Sequence, residues 1–216
     1  CLSRGLGDVY KRQPLMRAAR DVMRATGDEL HANLMLCSYY GDKVLCVDRY
    51  WTDNSIESSY ARGRPFPMFR GATAKPILAN LPPYQLRNLM LWHAAEIREA
   101  GLGDDWDAFR ANLKRLRTAG VCVSHGEVDR GLMGIGAAIF SGEQKVVGSL
   151  VFIASEAHTS AARLDILQAR IQVAAAEVSQ NLQSPQSNGA AAIGIMPSRP
   201  RRIRAPAGAA PARPKA

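Results

Sequence analysis

Three β-rich runs, VCVSHGEV, GLMGIGAAIFSG and EQKVVGSLVFIAS, follow one another between residues 121 and 155 with only short turns between them. Connections this short leave neighbouring strands only an antiparallel arrangement. The second and third runs meet at a Ser141-Gly142-Glu143 turn. The segment HTSAARLDILQARIQVAAAEVSQNL then closes the pattern as a long helix, with Leu164, Leu167, Ile171 and Val178 on its inner face. Earlier in the chain, HANLMLCSYYGDKVLCVDRYW gives two β-rich runs, with Leu34 and Leu36 and then Leu45 and Val47 alternating against polar neighbours around Tyr40-Gly41-Asp42, a hairpin signal. A further strand is expected over Ser55 to Tyr60.

The remaining segments are helical. PLMRAARDVMRATGDEL spaces Leu15, Ala19, Val22, Met23 and Thr26 as one helix face, with Gly27 as the expected stop. GATAKPILANLPPYQLRNLMLWH places Ile77, Leu78 and Leu81 on one face and breaks at Pro82-Pro83, where Pro83 suits the first turn of a second helix. Asp105 or Asp107 can cap WDAFRANLKRLRTAG, which repeats Trp106, Phe109, Leu113 and Leu116 and ends at Gly120. Helix, hairpin, helices, meander and terminal helix together imply an α+β domain, an antiparallel sheet flanked by helices.

Both ends are set apart from that domain. SRGLGDVYKRQ reads in frame as the translation of a transposon-type sequencing adapter, so residues 1–13 are expected to be adapter-derived and outside the fold, the alternative being an ordinary N-terminus. Residues 183–216 are rich in Pro, Ala, Ser and Arg and carry no acidic residue, which is expected of a disordered basic tail. Residues 14–182 are the domain, a length that suits a single core.

Charge follows the same division. The chain carries a formal +9, of which Arg199, Arg201, Arg202, Arg204, Arg213 and Lys215 supply six and residues 1–13 a net two. The domain is left at +1, without the electrostatic footprint of a phosphate-binding surface, so nucleic-acid contact would come from the tail, weakly and without sequence preference. The other reading of RPRRIR is a solubilising terminus. Cys37, Cys46 and Cys122 form an odd set without CxxC spacing, as expected of reduced thiols in a cytoplasmic protein. No apolar run has membrane-spanning length, so no membrane partner is expected. His31, His93, His125 and His158 stand singly, so neither a metal nor another cofactor is expected.

ARGRPFPMFRGATAKPILANLPP resembles the segment of IclR-family transcriptional regulators that runs G-x-x-x-P-L-H-x-T-A-x-G-K-A-x-L-A-x-L-P. LKRLRTAGVCVSHGEVDRGLMGIGAAIFSGEQKVVGSLVFI is similar to the family's L-x-x-x-R-x-x-G-x-x-x-x-x-x-E-x-x-x-G-x-x-x-I-A-A-P-V-F-x-x-x-G-x-V-V-x-x-L-S-V. The two motifs stand in the family's order and separation, and with the flanking helices the resemblance covers residues 14–182. It implies a GAF-like (profilin-like) effector-binding and oligomerising domain, a homodimer or tetramer. Operator DNA would be bound only by a winged helix-turn-helix that precedes this segment in the family.

Carried over by motif position, the resemblance places effector contacts at Ala72, Thr73, Ser124, Leu132, Gly134, Val151 and Ile153. Two departures bear on the ligand. Arg70 stands where the family often has a small residue, and an arginine at the pocket mouth would favour a carboxylate; its other reading is a solvated surface arginine. Val151 and Ile153 replace serines found in some relatives, which suits an apolar acid, aromatic or branched. Ser124, His125 and Glu127 contain the ingredients of a nucleophile and base, but Ser124 and His125 alternate faces on a regular strand, so no enzyme is expected. Glu127 is expected to cap the turn at Asp129-Arg130-Gly131, and Cys122 to be a small core residue. Two alternatives stay open: a stand-alone GAF-like small-molecule binding protein, and a small enzyme using Ser124 or Cys122.

Overall fold

A computed structural model describes residues 2–40, 43–56, 59 and 62–184, the side chains of residues 2–12 excepted. Its elements run α1 (Leu2–Leu30), β1 (Asn33–Tyr40), β2 (Lys43–Tyr50), β3 (Pro65–Phe66), α2 (Gly71–Ala79), α3 (Pro83–Glu99), α4 (Trp106–Ala119), β4 (Cys122–His125), β5 (Leu132–Phe140), β6 (Val146–Ser155) and α5 (Ala161–Gln183). The six strands form one sheet in the order β3-β2-β1-β6-β5-β4, every pairing antiparallel. This is the expected α+β, GAF-like architecture. The meander β4-β5-β6 and the hairpin β1-β2 join where β1 lies against β6, with Met35 opposite Val151.

Each face of the sheet carries its own apolar layer. Leu34, Leu36, Ile135, Ile139, Leu150 and Phe152 pack under α1 and α5, against Leu15, Ala19, Met23, Leu167, Ile171 and Val178. Met35, Cys37, Val151 and Ile153 face the other way, toward Ile77 and Leu78 of α2, Leu86 of α3, and Phe109 and Leu113 of α4. β1 is therefore buried on both sides for six residues. The expected helix faces are largely buried; Trp106, Leu116 and Leu164 lie half-buried at the margins.

Caps fall where the side chains dictate. Ala108 N–H donates to the Asp105 carboxylate at 2.8 Å, and Gly120 ends α4 in the left-handed region at φ 70°. Pro83 opens α3, where a missing N–H costs nothing.

Two expectations differ. Gly27 does not stop α1, which runs on to Leu30; a Cβ at Gly27 would lie 2.5 Å from the Tyr50 ring, so the glycine serves close packing. The third strand is Pro65–Phe66 against Leu45 and Val44, whereas Ser55, Ile56 and Ser59 are turn or irregular. Gly41 and Asp42 of the hairpin turn, Glu57, Ser58 and Tyr60 of the expected strand, and residues 185–216 lie outside the described residues. The α1 backbone is helical from Leu2 and passes through Pro14. Cys37 and Cys46 are register partners across β1 and β2, and both are buried free thiols.

Candidate functional site

The sheet face under α2 is built around an exchange of helical for inter-element bonds. Arg70 precedes α2 in extended conformation and offers no side-chain cap. β4 and the turn after it supply the acceptors instead: Gly71 N–H donates to Glu127 Oε2 at 2.8 Å and Ala72 N–H to Ser124 Oγ at 3.0 Å. A carboxylate at a helix N-terminus also meets the positive end of the dipole. Lys75 Nζ, one turn along, reaches Glu127 Oε1 at 2.7 Å, and this ion pair is largely shielded from solvent.

Further along α2, Pro76 has no N–H to return to the Ala72 carbonyl. That oxygen lies against the sheet, 2.3 Å from where a Cβ on Gly136 would stand. The Thr73 carbonyl accepts from Ser149 Oγ of β6 at 2.6 Å. The start of α2 is thus fastened to β4 and β6 and rests on β5.

Five of the expected contact residues belong to this fastening. Ala72, Thr73, Ser124, Gly134 and Val151 are buried together at the helix-sheet contact, and a Cβ at Gly134 would meet Ser124 Oγ at 2.9 Å and Ala72 Cβ at 3.1 Å. Small residues here let the helix approach the sheet; they leave no free volume. Thr73 Oγ1 is buried without a hydrogen-bond partner. Arg70 is about half exposed and pairs with Glu99 at 3.5 Å on the surface.

Leu132 and Ile153 are placed differently. They line a cavity of ≈ 420 Å³ at the end of the sheet where β1, β5, β6 and α5 converge. Phe152 and Leu167 border it from the other face of the sheet, and its polar groups come from three separate segments: His31 and Asn33, Asp53 and Ser55, His158 and Arg163. Ile153 pairs with Gly134 in register, so the cavity adjoins the α2 contact by one strand pair.

The polar rim is ordered. Asn33 Oδ1 accepts from Thr52 and Asp53 N–H at 2.8 and 2.9 Å, and its Nδ2 donates to the Asp53 carbonyl. Ser55 donates through both hydroxyl and N–H to the Asp53 carboxylate, which holds that carboxyl below its ordinary pKa, with His158 acting in the same direction. Arg163 donates to the Leu30 carbonyl at the end of α1. Three basic side chains therefore share the rim with one carboxylate, and the volume lies within the range of small-molecule sites.

Sequence reasoning singled out only Leu132 and Ile153 of this cavity. The polar groups carry a faint signal: His31 is a non-glycine at φ 44°, and Asn33 is a fully buried amide opening a strand. On β4, Ser124 is buried while His125 is exposed and lies 3.4 Å from Glu156, so the two side chains leave opposite faces of the strand. Glu127 caps α2 rather than the Asp129-Arg130-Gly131 turn.

Residues 7–180 match the family described as bacterial transcriptional regulator IclR, C-terminal. The HTH-type transcriptional regulator KipR of Bacillus subtilis is 24% identical over 176 residues, covering 81% of this chain and 70% of that protein. The HTH-type transcriptional regulator Rv1719 of Mycobacterium tuberculosis is 28% identical over 149 residues, 63% of this chain and 57% of its own length. The Thermotoga maritima IclR structure superposes with a TM-score of 0.73 at 18% identity, over 85% of this chain and 74% of that one. No helix among the described residues is long and apolar enough to cross a membrane.

Proposed function

The chain belongs to the bacterial IclR-type transcriptional regulators, through their C-terminal domain, and on that premise we propose that it senses a small organic acid and self-associates, operator binding being the task of a preceding winged helix-turn-helix. The observation that carries the reading is the cavity at the sheet end. Leu132 and Ile153, on one face of the sheet, would hold an apolar body, aromatic or branched, and Arg163 with His31 and His158 would hold its carboxylate.

Occupancy of this cavity would bear on α1, α5 and the β1-β2 hairpin together, because Arg163 ties α5 to the end of α1 and Asn33 ties β1 to the segment after β2. That is a route by which an effector could alter the side of the domain where the chain enters. A catalytic reading through Ser124 or Cys122 has less support, since Ser124 Oγ is engaged by Ala72 N–H and the Cys122 thiol is pushed up to about 11 by burial.

The test is a thermal-shift comparison of benzoate and 2-methylpropanoate with their amides. Acids should stabilise the wild-type chain and amides should not. Within the Arg163→Ala variant the acids should lose about 1.5–3 kcal/mol of binding, the worth of a charge-assisted bond, while Arg70→Ala should bind as wild type. An equal effect on acid and amide would contradict recognition of a carboxylate.

A further inference from the structure

α5 is apolar on two opposite faces. Leu167, Ile171, Ala174, Ala175 and Val178 rest on the sheet. On the far side Ala162, Ile166, Ala169, Val173 and Ala176 are all exposed, Ile166 by 50% and Val173 by 52%. Asp165 is the one charged residue among those fully exposed on this helix. α1, which lies beside α5 on the same sheet face, is built as a solvated helix should be, with Arg17, Arg20, Asp21, Arg24, Asp28 and Glu29 exposed. A helix apolar all round belongs in an interior, and among the described residues α5 is covered on one side.

The outer residues follow a heptad seam. Their spacing alternates four and three, from Ala162 through Ile166, Ala169, Val173 and Ala176 to Gln180, the pattern by which one helix packs along another. β-branched residues take one of the two core positions and alanines the other. Such a seam complements itself when two copies run antiparallel about a two-fold axis. Ile166 of each copy then faces Ala176 of the other, Ala169 faces Val173, and Ala162 faces Gln180, so every layer sets a large side chain against a small one.

Charge and size agree with that pairing. Arg163 and Glu177 flank the seam on the α1 side, and in the same register they come opposite each other across the axis. Arg170, nearest the axis, is already held by Glu29 and Glu177 of its own chain. The described side chains of α5 and α1 cover about 33 and 27 Å of helix, each about 10 Å wide, or about 600 Å² per copy. Two such faces bury about 1,200 Å², enough for a specific interface.

Resting on the self-association proposed above, we propose that two copies of this chain pair through α5, antiparallel about a two-fold axis, with Ile166 and Val173 as apolar anchors and α1 as the charged rim. Sedimentation of the full chain over a range of concentrations tests the pairing. The wild type should sediment as a dimer or tetramer. The double variant Ile166→Asp, Val173→Asp should sediment as half that assembly, its association weakened about hundredfold or more, since four carboxylates would be buried without partners. Its far-UV circular dichroism should match the wild type, because both positions are exposed within one chain. Ala169→Cys chains mixed with Val173→Cys chains should form a disulfide between the introduced thiols faster than either variant alone. An assembly of wild-type size in the double variant would overturn the α5 pairing while leaving self-association in place. A wild-type monomer at every concentration would overturn both. Crosslinking as fast within each single variant as in the mixture would contradict the antiparallel register.

Discussion

Glu127 serves two partners: one carboxylate oxygen accepts from Gly71 N–H at the start of α2 and the other pairs with Lys75. Removing it leaves a half-buried ammonium and an uncapped helix end. Glu127→Ala should lower stability by about 2–4 kcal/mol, and Glu127→Gln by less, because the amide oxygen can still cap. Equal losses in chemical denaturation would mean that the cap contributes nothing. The pairing was hidden in the sequence because its partners lie 52 and 56 residues away; chain neighbours suggested a local turn instead. Cysteine burial gives a second expectation at this scale. Burial raises Cys46 and Cys122 from 9.0 to about 11 and raises Cys37 as well. Between pH 9 and 11 the unfolded chain loses thiol protons that the folded chain keeps, so stability falls as pH rises, by up to about 1.4 kcal/mol per pH unit for each thiol. Cys122→Ala should make the slope shallower over that window; an unchanged slope would show that this thiol ionises as readily folded as unfolded.

At the scale of elements, α2 is held less by its own cap than by what it rests on. The Ala72 carbonyl, released by Pro76, occupies the space of a side chain at Gly136. Gly136→Ala should therefore cost about 2 kcal/mol or more, since backbone must move, and a melting temperature within error of wild type would show that α2 does not seat there. Elements of strong period were legible in the sequence: α4 with its Asp105 cap and Gly120 stop, the meander, and the buried face of α5. The short β3 was not, because two residues carry no period and its place is set by pairing with Val44 and Leu45. Gly27 misled for a related reason, as its packing depends on Tyr50 at the far end of β2.

Across the whole molecule, the domain is near neutral, and one end of its sheet gathers basic and apolar groups from β1, β5, β6, α5 and the segment after β2. Family motifs led to the sheet face under α2, where five expected contact residues fasten a helix, and to two walls of the cavity. The polar groups of the cavity were beyond sequence reasoning, because no local pattern brings His31, Asp53 and Arg163 together. The central claim is that a carboxylate-bearing effector occupies this space. Titration calorimetry of the full chain with benzoate and 2-methylpropanoate, repeated on Leu132→Trp, tests it most directly. Filling the cavity should abolish the binding heat while leaving the melting temperature near that of the wild type; no heat with either acid, or the same affinity in the filled variant, would contradict the claim.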